Sequence, residues 1–176
     1  RMALLRLAAK LRPHRMAVND EREQVTYSEL WEQTETLAKS LYARHSIRSR
    51  NKVGIVCRNH IAAIKSVFAA SRLGAHVILL NPEMSKDQFL ALEKRMQFDF
   101  YVYDEQIAGL FKDESLSRKS PPSYHSTDTS IDSLSSTRQN AEVRLKKVKT
   151  GHIVVMTAQQ TGQPQAANAK PARFAF

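Results

Sequence analysis

The chain has a single cysteine, Cys57, in 176 residues, so no internal disulfide framework can brace it. That usage suits a reducing compartment, and a cytoplasmic location is the expectation. No apolar run approaches the roughly 18 residues of a spanning helix. The opening stretch Met2-Ala3-Leu4-Leu5-Arg6-Leu7-Ala8-Ala9-Lys10 is too interrupted by charge to serve as a secretory signal. Aromatic residues are not interleaved with basic ones, which argues against a base-stacking platform, and no nucleic-acid partner is expected. Acidic residues are also in deficit: 17 Asp and Glu face 27 Lys and Arg, for a net charge of +10.

That excess would attract anionic surfaces and polyanions, so peripheral membrane contact through a basic surface remains open. The cations are dispersed in small groups such as Arg6/Lys10/Arg12/Arg15 and Arg144/Lys146/Lys147/Lys149, the pattern of a solvated face. The chain begins at Arg1 and stops at Phe174-Ala175-Phe176, and both ends read as cut. The expectation is one subdomain over residues 1–176, the truncated N-terminal part of something larger, with the rest of the parent chain missing.

Between residues 50 and 103, short apolar strands alternate with helical patterns. Lys52-Val53-Gly54-Ile55-Val56-Cys57 reads as a buried strand. Asn59 is placed to cap a helix with Ile61, Ile64, Val67 and Phe68 on one face, closed by Gly74. His76-Val77-Ile78-Leu79-Leu80 reads as the next strand, stopped by Asn81-Pro82. Ser85 and Gln88 form a capping-box pair ahead of a helix with Phe89, Leu92 and Met96 inward, and Phe100-Tyr101-Val102-Tyr103 follows as a strand. This order predicts an α/β fold: a parallel sheet with flanking helices.

Upstream, Met16–Asn19 and Gln24–Tyr27 flank the polar turn Asp20-Glu21-Arg22-Glu23 and predict a small N-terminal hairpin. Ser28 is the predicted cap of a long helix whose Leu30, Trp31, Thr34, Leu37, Ala38, Leu41 and Tyr42 fall at helical spacing as core. Residues 112–150 read as a serine-rich surface connector with one short helix near Ile131 to Ser135.

A strand over Gly151–Met156 then empties into Thr157-Ala158-Gln159-Gln160-Thr161-Gly162-Gln163-Pro164-Gln165. A loop of this kind at the carboxyl end of a buried strand can hold phosphate through backbone N–H groups and hydroxyls. The Walker A spacing is absent. The segment resembles the phosphate loop T-S-G-T-T-G-x-P-K-G of the adenylate-forming enzymes, a family that includes the acyl-CoA synthetases, with Thr157, Thr161, Gly162 and Pro164 in frame. Val25-Thr26-Tyr27-Ser28-Glu29-Leu30 with Leu37-Ala38 and Leu41 is similar to an earlier block of that family. So are Val53-Gly54-Ile55 with Asn59, Phe68-Ala69-Ala70 with Leu73-Gly74-Ala75, and Leu80-Asn81-Pro82, in the same order.

The resemblance implies a ligase that uses ATP, Mg²⁺ and coenzyme A on a small-molecule carboxylate. The pattern looks most like a bacterial fatty-acyl-CoA or related acyl-CoA ligase. It also implies that Thr157, Ala158, Gln159, Gln160, Thr161, Gly162 and Gln165 occupy the phosphate-binding positions. Several of these depart from the family. Ala158 lacks a hydroxyl, Gln159 adds a side chain where glycine admits phosphate, Gln160 replaces threonine, and Gln165 replaces a lysine. Each lost charge-assisted contact is typically worth roughly 1.5–3 kcal/mol. The expectation is an inactive piece of such a ligase, with no catalytic residue of its own. The alternative is a non-catalytic nucleotide- or polyanion-binding scaffold derived from the same family.

Other candidates fall to plainer readings. Cys57 reads as a core thiol without a histidine or cationic partner, and the six histidines show no metal-ligand spacing, so no metal site is expected. Glu29, Glu32, Asp128 and Asp132 read as helix-surface or loop carboxylates.

Overall fold

The computed structural model describes residues 2–19, 24–58, 60–111 and 130–156. In chain order the elements are α1 (Met2–Leu11), β1 (Met16–Asn19), β2 (Gln24–Thr26), α2 (Tyr27–His45), β3 (Lys52–Val56), α3 (Ile61–Arg72), β4 (His76–Leu79), α4 (Lys86–Met96), β5 (Phe100–Tyr103), a 3₁₀ segment (Glu105–Phe111), α5 (Ile131–Leu134) and β6 (Ile153–Val155). Strands β1 and β2 form the expected antiparallel hairpin. The other four make a fully parallel sheet in the order β5-β3-β4-β6. The fold is the α/β arrangement expected from the sequence.

A parallel sheet is covered on both faces, and the period-2 pattern of its strands divides the core accordingly. Val53, Ile55, Val77, Phe100 and Val102 face the side of α2 and α3, packed with Leu37 and Leu41. Val56, Ile78 and Tyr101 face the other side, against Phe89 and Leu92 of α4 and Phe98. A smaller cluster of Leu5, Val25, Leu30 and Ile61 ties α1 and the hairpin to the helical layer.

Three local expectations are corrected. Helix α2 is capped by Thr26, not Ser28. Thr26 is extended (φ −77°, ψ 169°), and its hydroxyl accepts from the Glu29 N–H while the Glu29 carboxylate accepts from the Thr26 N–H, each at 3.2 Å. The reciprocal pair lets the helix start two residues earlier. Helix α3 is capped by His60, whose Nδ1 accepts from the Ala63 N–H at 3.1 Å. Asn59 lies outside the described residues.

The burial of α3 also differs from expectation. Ile61 is buried, but Ile64, Val67 and Phe68 are only half-buried, while Ala62, Lys65, Ser66, Ala69 and Ala70 are fully enclosed. The helix is packed between α2 and the sheet, and small residues permit that close approach, so its large side chains are turned elsewhere.

The end of the serine-rich stretch enters the core. Ile131 and Leu134 of α5 are wholly buried, and the Leu134 carbonyl accepts from Ser40 Oγ at 3.3 Å. The buried Lys65 ammonium reaches Ser135 Oγ at 3.5 Å. Arg72 binds Glu35 through Nε at 2.9 Å and donates to the Lys146 carbonyl at 2.8 Å, pinning the approach to β6 onto α3. Gly74 follows α3 at φ +82°, a left-handed conformation that favours glycine.

The central strand carries a tighter constraint. A Cβ on Gly54 would stand 2.7 Å from Tyr101 Cδ1 on the neighbouring strand. Tyr101 cannot yield easily, because it is wholly buried, packed against the rings of Phe89 and Phe98, and its hydroxyl donates to Glu93. Burial first, and then the Glu93 bond and charge, push that hydroxyl's pKa far up, so it remains a donor. Gly54→Ala should therefore cost about 1–3 kcal/mol by overpacking. Gly109→Ala, where an added Cβ meets nothing within 4 Å, is the control. Chemical denaturation of both variants checks this, and equal stability would contradict the assignment.

Candidate functional site

The strand order reverses at β3: the chain moves from β3 to β4 on one side, then crosses to place β5 on the other. In open α/β sheets, ligands bind outside the carboxyl ends of the strands at such a switch point. Here a cavity of about 930 Å³ opens at the carboxyl ends of β3, β4 and β6. Ile55 and Cys57 wall it from β3, Leu79 and Pro82 from β4, and Val155 and Met156 from β6. The half-buried Ile64, Val67 and Phe68 of α3 form another side, which Leu5 of α1 and Val18 of the hairpin adjoin. The wall is mostly apolar, with Arg58, His60 and Asn81 among its few polar members.

At the switch point itself, between the ends of β3 and β5, the structure brings together Cys57, His60 and Asp104, whose ligand atoms lie within 4.8 Å of one another. His60 Nε2 and Asp104 Oδ1 are 2.6 Å apart, and Asp104 Oδ2 accepts from the Arg58 N–H at 2.9 Å. Cys57 Sγ points to the Val102 carbonyl at 3.6 Å. The thiol is half-buried on the cavity wall rather than enclosed in the core. The His60–Asp104 link spans 44 residues of sequence. The only local trace of the cluster is the Cys57-x-x-His60 spacing, which says nothing without Asp104.

Hydrogen bonding decides what this cluster can do. Because His60 Nδ1 accepts from Ala63, the ring proton sits on Nε2 and is donated to Asp104. Both ring nitrogens and both carboxylate oxygens are thus engaged. A metal on Nε2 would drive the proton to Nδ1, against the Ala63 donor. Mg²⁺ asks for near-octahedral oxygen ligands at about 2.0–2.1 Å, which this thiol, imidazole and committed carboxylate do not fit. The group works as a brace instead. Arg58 backbone, Asp104 and His60 fix the start of α3 against the end of β5, setting the mouth of the cavity.

The phosphate-loop positions Thr157, Ala158, Gln159, Gln160, Thr161, Gly162 and Gln165 lie outside the described residues, as do Asp128 and His125. The described chain reaches Met156, which is buried and whose N–H donates to the Leu79 carbonyl at 3.0 Å, at the edge of the cavity. Glu29 serves the α2 cap, and Asp132 accepts from Ser130 Oγ at 2.6 Å. His76 and His152 stack at 5.2 Å at the far, amino end of the sheet.

A parallel sheet with an apolar crevice at its carboxyl ends, beside a reversal of strand order, is the arrangement at which open α/β sheets bind small ligands. The chain belongs to the AMP-binding enzyme family, whose model it matches over residues 5–175. It is 26% identical over 161 residues to a 2-succinylbenzoate–CoA ligase of Bacillus cereus strain AH820, an alignment covering 92% of this chain and 31% of that protein. The chain therefore spans about a third of the length of the relatives it matches.

Among solved structures, O-succinylbenzoate coenzyme A synthetase from Bacillus subtilis, in complex with ATP and magnesium ion, superposes with a TM-score of 0.63 at 24% identity. That match covers 81% of this chain and 36% of that one. A long-chain-fatty-acid-CoA ligase from Archaeoglobus fulgidus gives a TM-score of 0.74 at 16% identity over 89% of this chain and 34% of that one. At these identities the superpositions establish the acyl-CoA synthetase-like fold.

Removing the brace has a defined cost. His60→Ala should lose a helix cap worth about 1 kcal/mol and leave the Asp104 carboxylate short of a donor, for roughly 1–3 kcal/mol more. In a double-mutant cycle with Asp104→Ala, the two losses should be non-additive by about 0.5–3 kcal/mol. Simple additivity would dismiss the brace.

Proposed function

We propose that this chain is the N-terminal part of an ATP-dependent, AMP-forming acid–thiol ligase, and that it does not complete the reaction alone. In the parent reaction a carboxylate oxygen attacks the α-phosphorus of ATP and expels pyrophosphate. The coenzyme A thiolate then attacks the acyl carbon and expels AMP. The observation that carries this reading is the family match over residues 5–175, on a parallel sheet whose last strand, β6, leads into the altered phosphate motif. The apolar wall formed by Ile64, Val67, Phe68 and Met156 suits an uncharged portion of a bound ligand and keeps water from it. It offers few donors for a triphosphate, so phosphate recognition falls to residues 157–165.

The substrate reading moves away from the fatty acid expected from the sequence. Sequence relatives at 26% identity include 2-succinylbenzoate–CoA ligases, while the fatty-acid ligases enter at 16–17% identity, where likeness speaks for fold alone. We therefore assign an aromatic carboxylate of the succinylbenzoate type to the parent enzyme. Inactivity of this chain is supported by its covering 31% of the ligase length and by Ala158, Gln159 and Gln165 in the phosphate motif.

ATP–pyrophosphate exchange with 2-succinylbenzoate and with fatty acids should remain at background for this chain, and robust exchange would sink the inactivity claim. In calorimetry, Gln165→Lys should tighten ATP binding by roughly 10-fold or more, the worth of a charge-assisted contact. An unchanged affinity would remove Gln165 from the phosphate site. Tighter binding of a fatty acid than of 2-succinylbenzoate would overturn the substrate class.

A further inference from the structure

The dispersed cations of the sequence are sorted by the fold. Each helix runs back against the parallel strands, so the last turns of α2, α3 and α4 gather at the amino ends of the strands. They bring Arg44, Arg72, Lys94 and Arg95 there, where cations complement the helix dipoles. Lys52 and His76, the first residues of β3 and β4, are paired in register at the same end, and Lys52 Nζ donates to the Met96 carbonyl at 2.7 Å, joining it to the end of α4.

The run that approaches β6 is drawn across this end. Arg72 holds the Lys146 carbonyl at 2.8 Å, the Lys149 carbonyl lies against Gly74, and the Arg50 N–H donates to the Gly74 carbonyl at 2.9 Å. Arg50, Lys146, Lys147 and Lys149 are consequently exposed together, with Lys94 on the adjoining helix end. Among the described residues the neighbouring carboxylates are few. Glu35 is bound to Arg72 and Glu93 accepts from Tyr101, which leaves Asp99 and Glu142 as the exposed acids described beside the cations.

We propose that this basic end is a docking surface for a membrane carrying anionic lipid headgroups. Two observations favour a lipid surface over a nucleic acid. Val148 stands 37% exposed among the lysines, an apolar side chain suited to the headgroup boundary. The aromatic rings among the described residues of this end are engaged: the Tyr42 ring is covered by the Arg48 guanidinium at 3.5 Å, and the His76 and His152 rings stack on each other at 5.2 Å. The patch also lies at the opposite end of the sheet from the apolar cavity, so a docked molecule keeps its crevice directed away from the lipid.

The test is co-sedimentation of the full chain with vesicles of phosphatidylcholine alone and of phosphatidylcholine mixed with phosphatidylserine. Binding should require phosphatidylserine and weaken with added salt. The triple variant Lys146→Gln, Lys147→Gln, Lys149→Gln should bind roughly 100-fold more weakly, since each neutralised cation costs about five-fold at such a surface. A charge-matched variant on α1, Arg6→Gln, Lys10→Gln, Arg12→Gln, should bind as the parent does, because Leu5 of that helix lines the crevice instead. An equal loss in both variants would reduce the effect to net charge and overturn the proposal. So would equal binding to the two vesicle types, absence of binding to either, or tighter binding to a short single-stranded DNA than to the phosphatidylserine vesicles.

Discussion

A parallel strand can be followed by its neighbour only through a crossover, and that requirement orders the rest of this molecule. Because β3, β4, β5 and β6 all point the same way, the connecting helices return antiparallel to them and cover both faces. The strand interiors must then be apolar on both sides, and small residues are needed wherever two layers press hardest. Gly54 under Tyr101 and the alanine-rich inner side of α3 are consequences of that pressure. The same constraint separates two ends with different chemistry. Loops leaving the strands build an apolar crevice, and helix ends returning to them concentrate positive charge.

The elements legible in the sequence were those whose signal is local. Short apolar runs placed β3, β4 and β5, and the Ser85–Gln88 pair marked the start of α4, as the reciprocal bonds at 2.9 and 3.2 Å bear out. The errors came where a local rule had two candidates. Thr26 and Ser28 are both good caps, and the Glu29 partner selects Thr26 because the box needs a spacing of three. Helix α3 misled for a different reason. Hydrophobic periodicity weighs large side chains, yet a helix packed between α2 and the sheet buries its small ones and turns Ile64, Val67 and Phe68 to the cavity.

The site was less legible because it is assembled from distant segments. His60 alone is a histidine in a polar turn, and Asp104 alone is the residue after a strand. Only the placement of β5 beside β3 brings them to 2.6 Å. Strand β6 is a similar case, since its position beside β4 depends on a route through Ile131, Leu134 and the Arg72 tether that serine-rich composition conceals. Topology supplies these contacts.

On the proposed reading, lineage and activity part company after Met156. Up to that residue, the features the structure describes are those a sheet needs in order to fold: strand order, caps, close-packed small residues and an apolar wall. Such features survive without catalysis because their loss would cost stability. The proposed function sets Ala158, Gln159, Gln160 and Gln165 at positions where selection would act through transition-state charge. On that reading, a chain released from phosphate chemistry would keep the first set and lose the second. The His60–Asp104 pair belongs with the first set, because its hydrogen bonds hold the start of α3 against the end of β5.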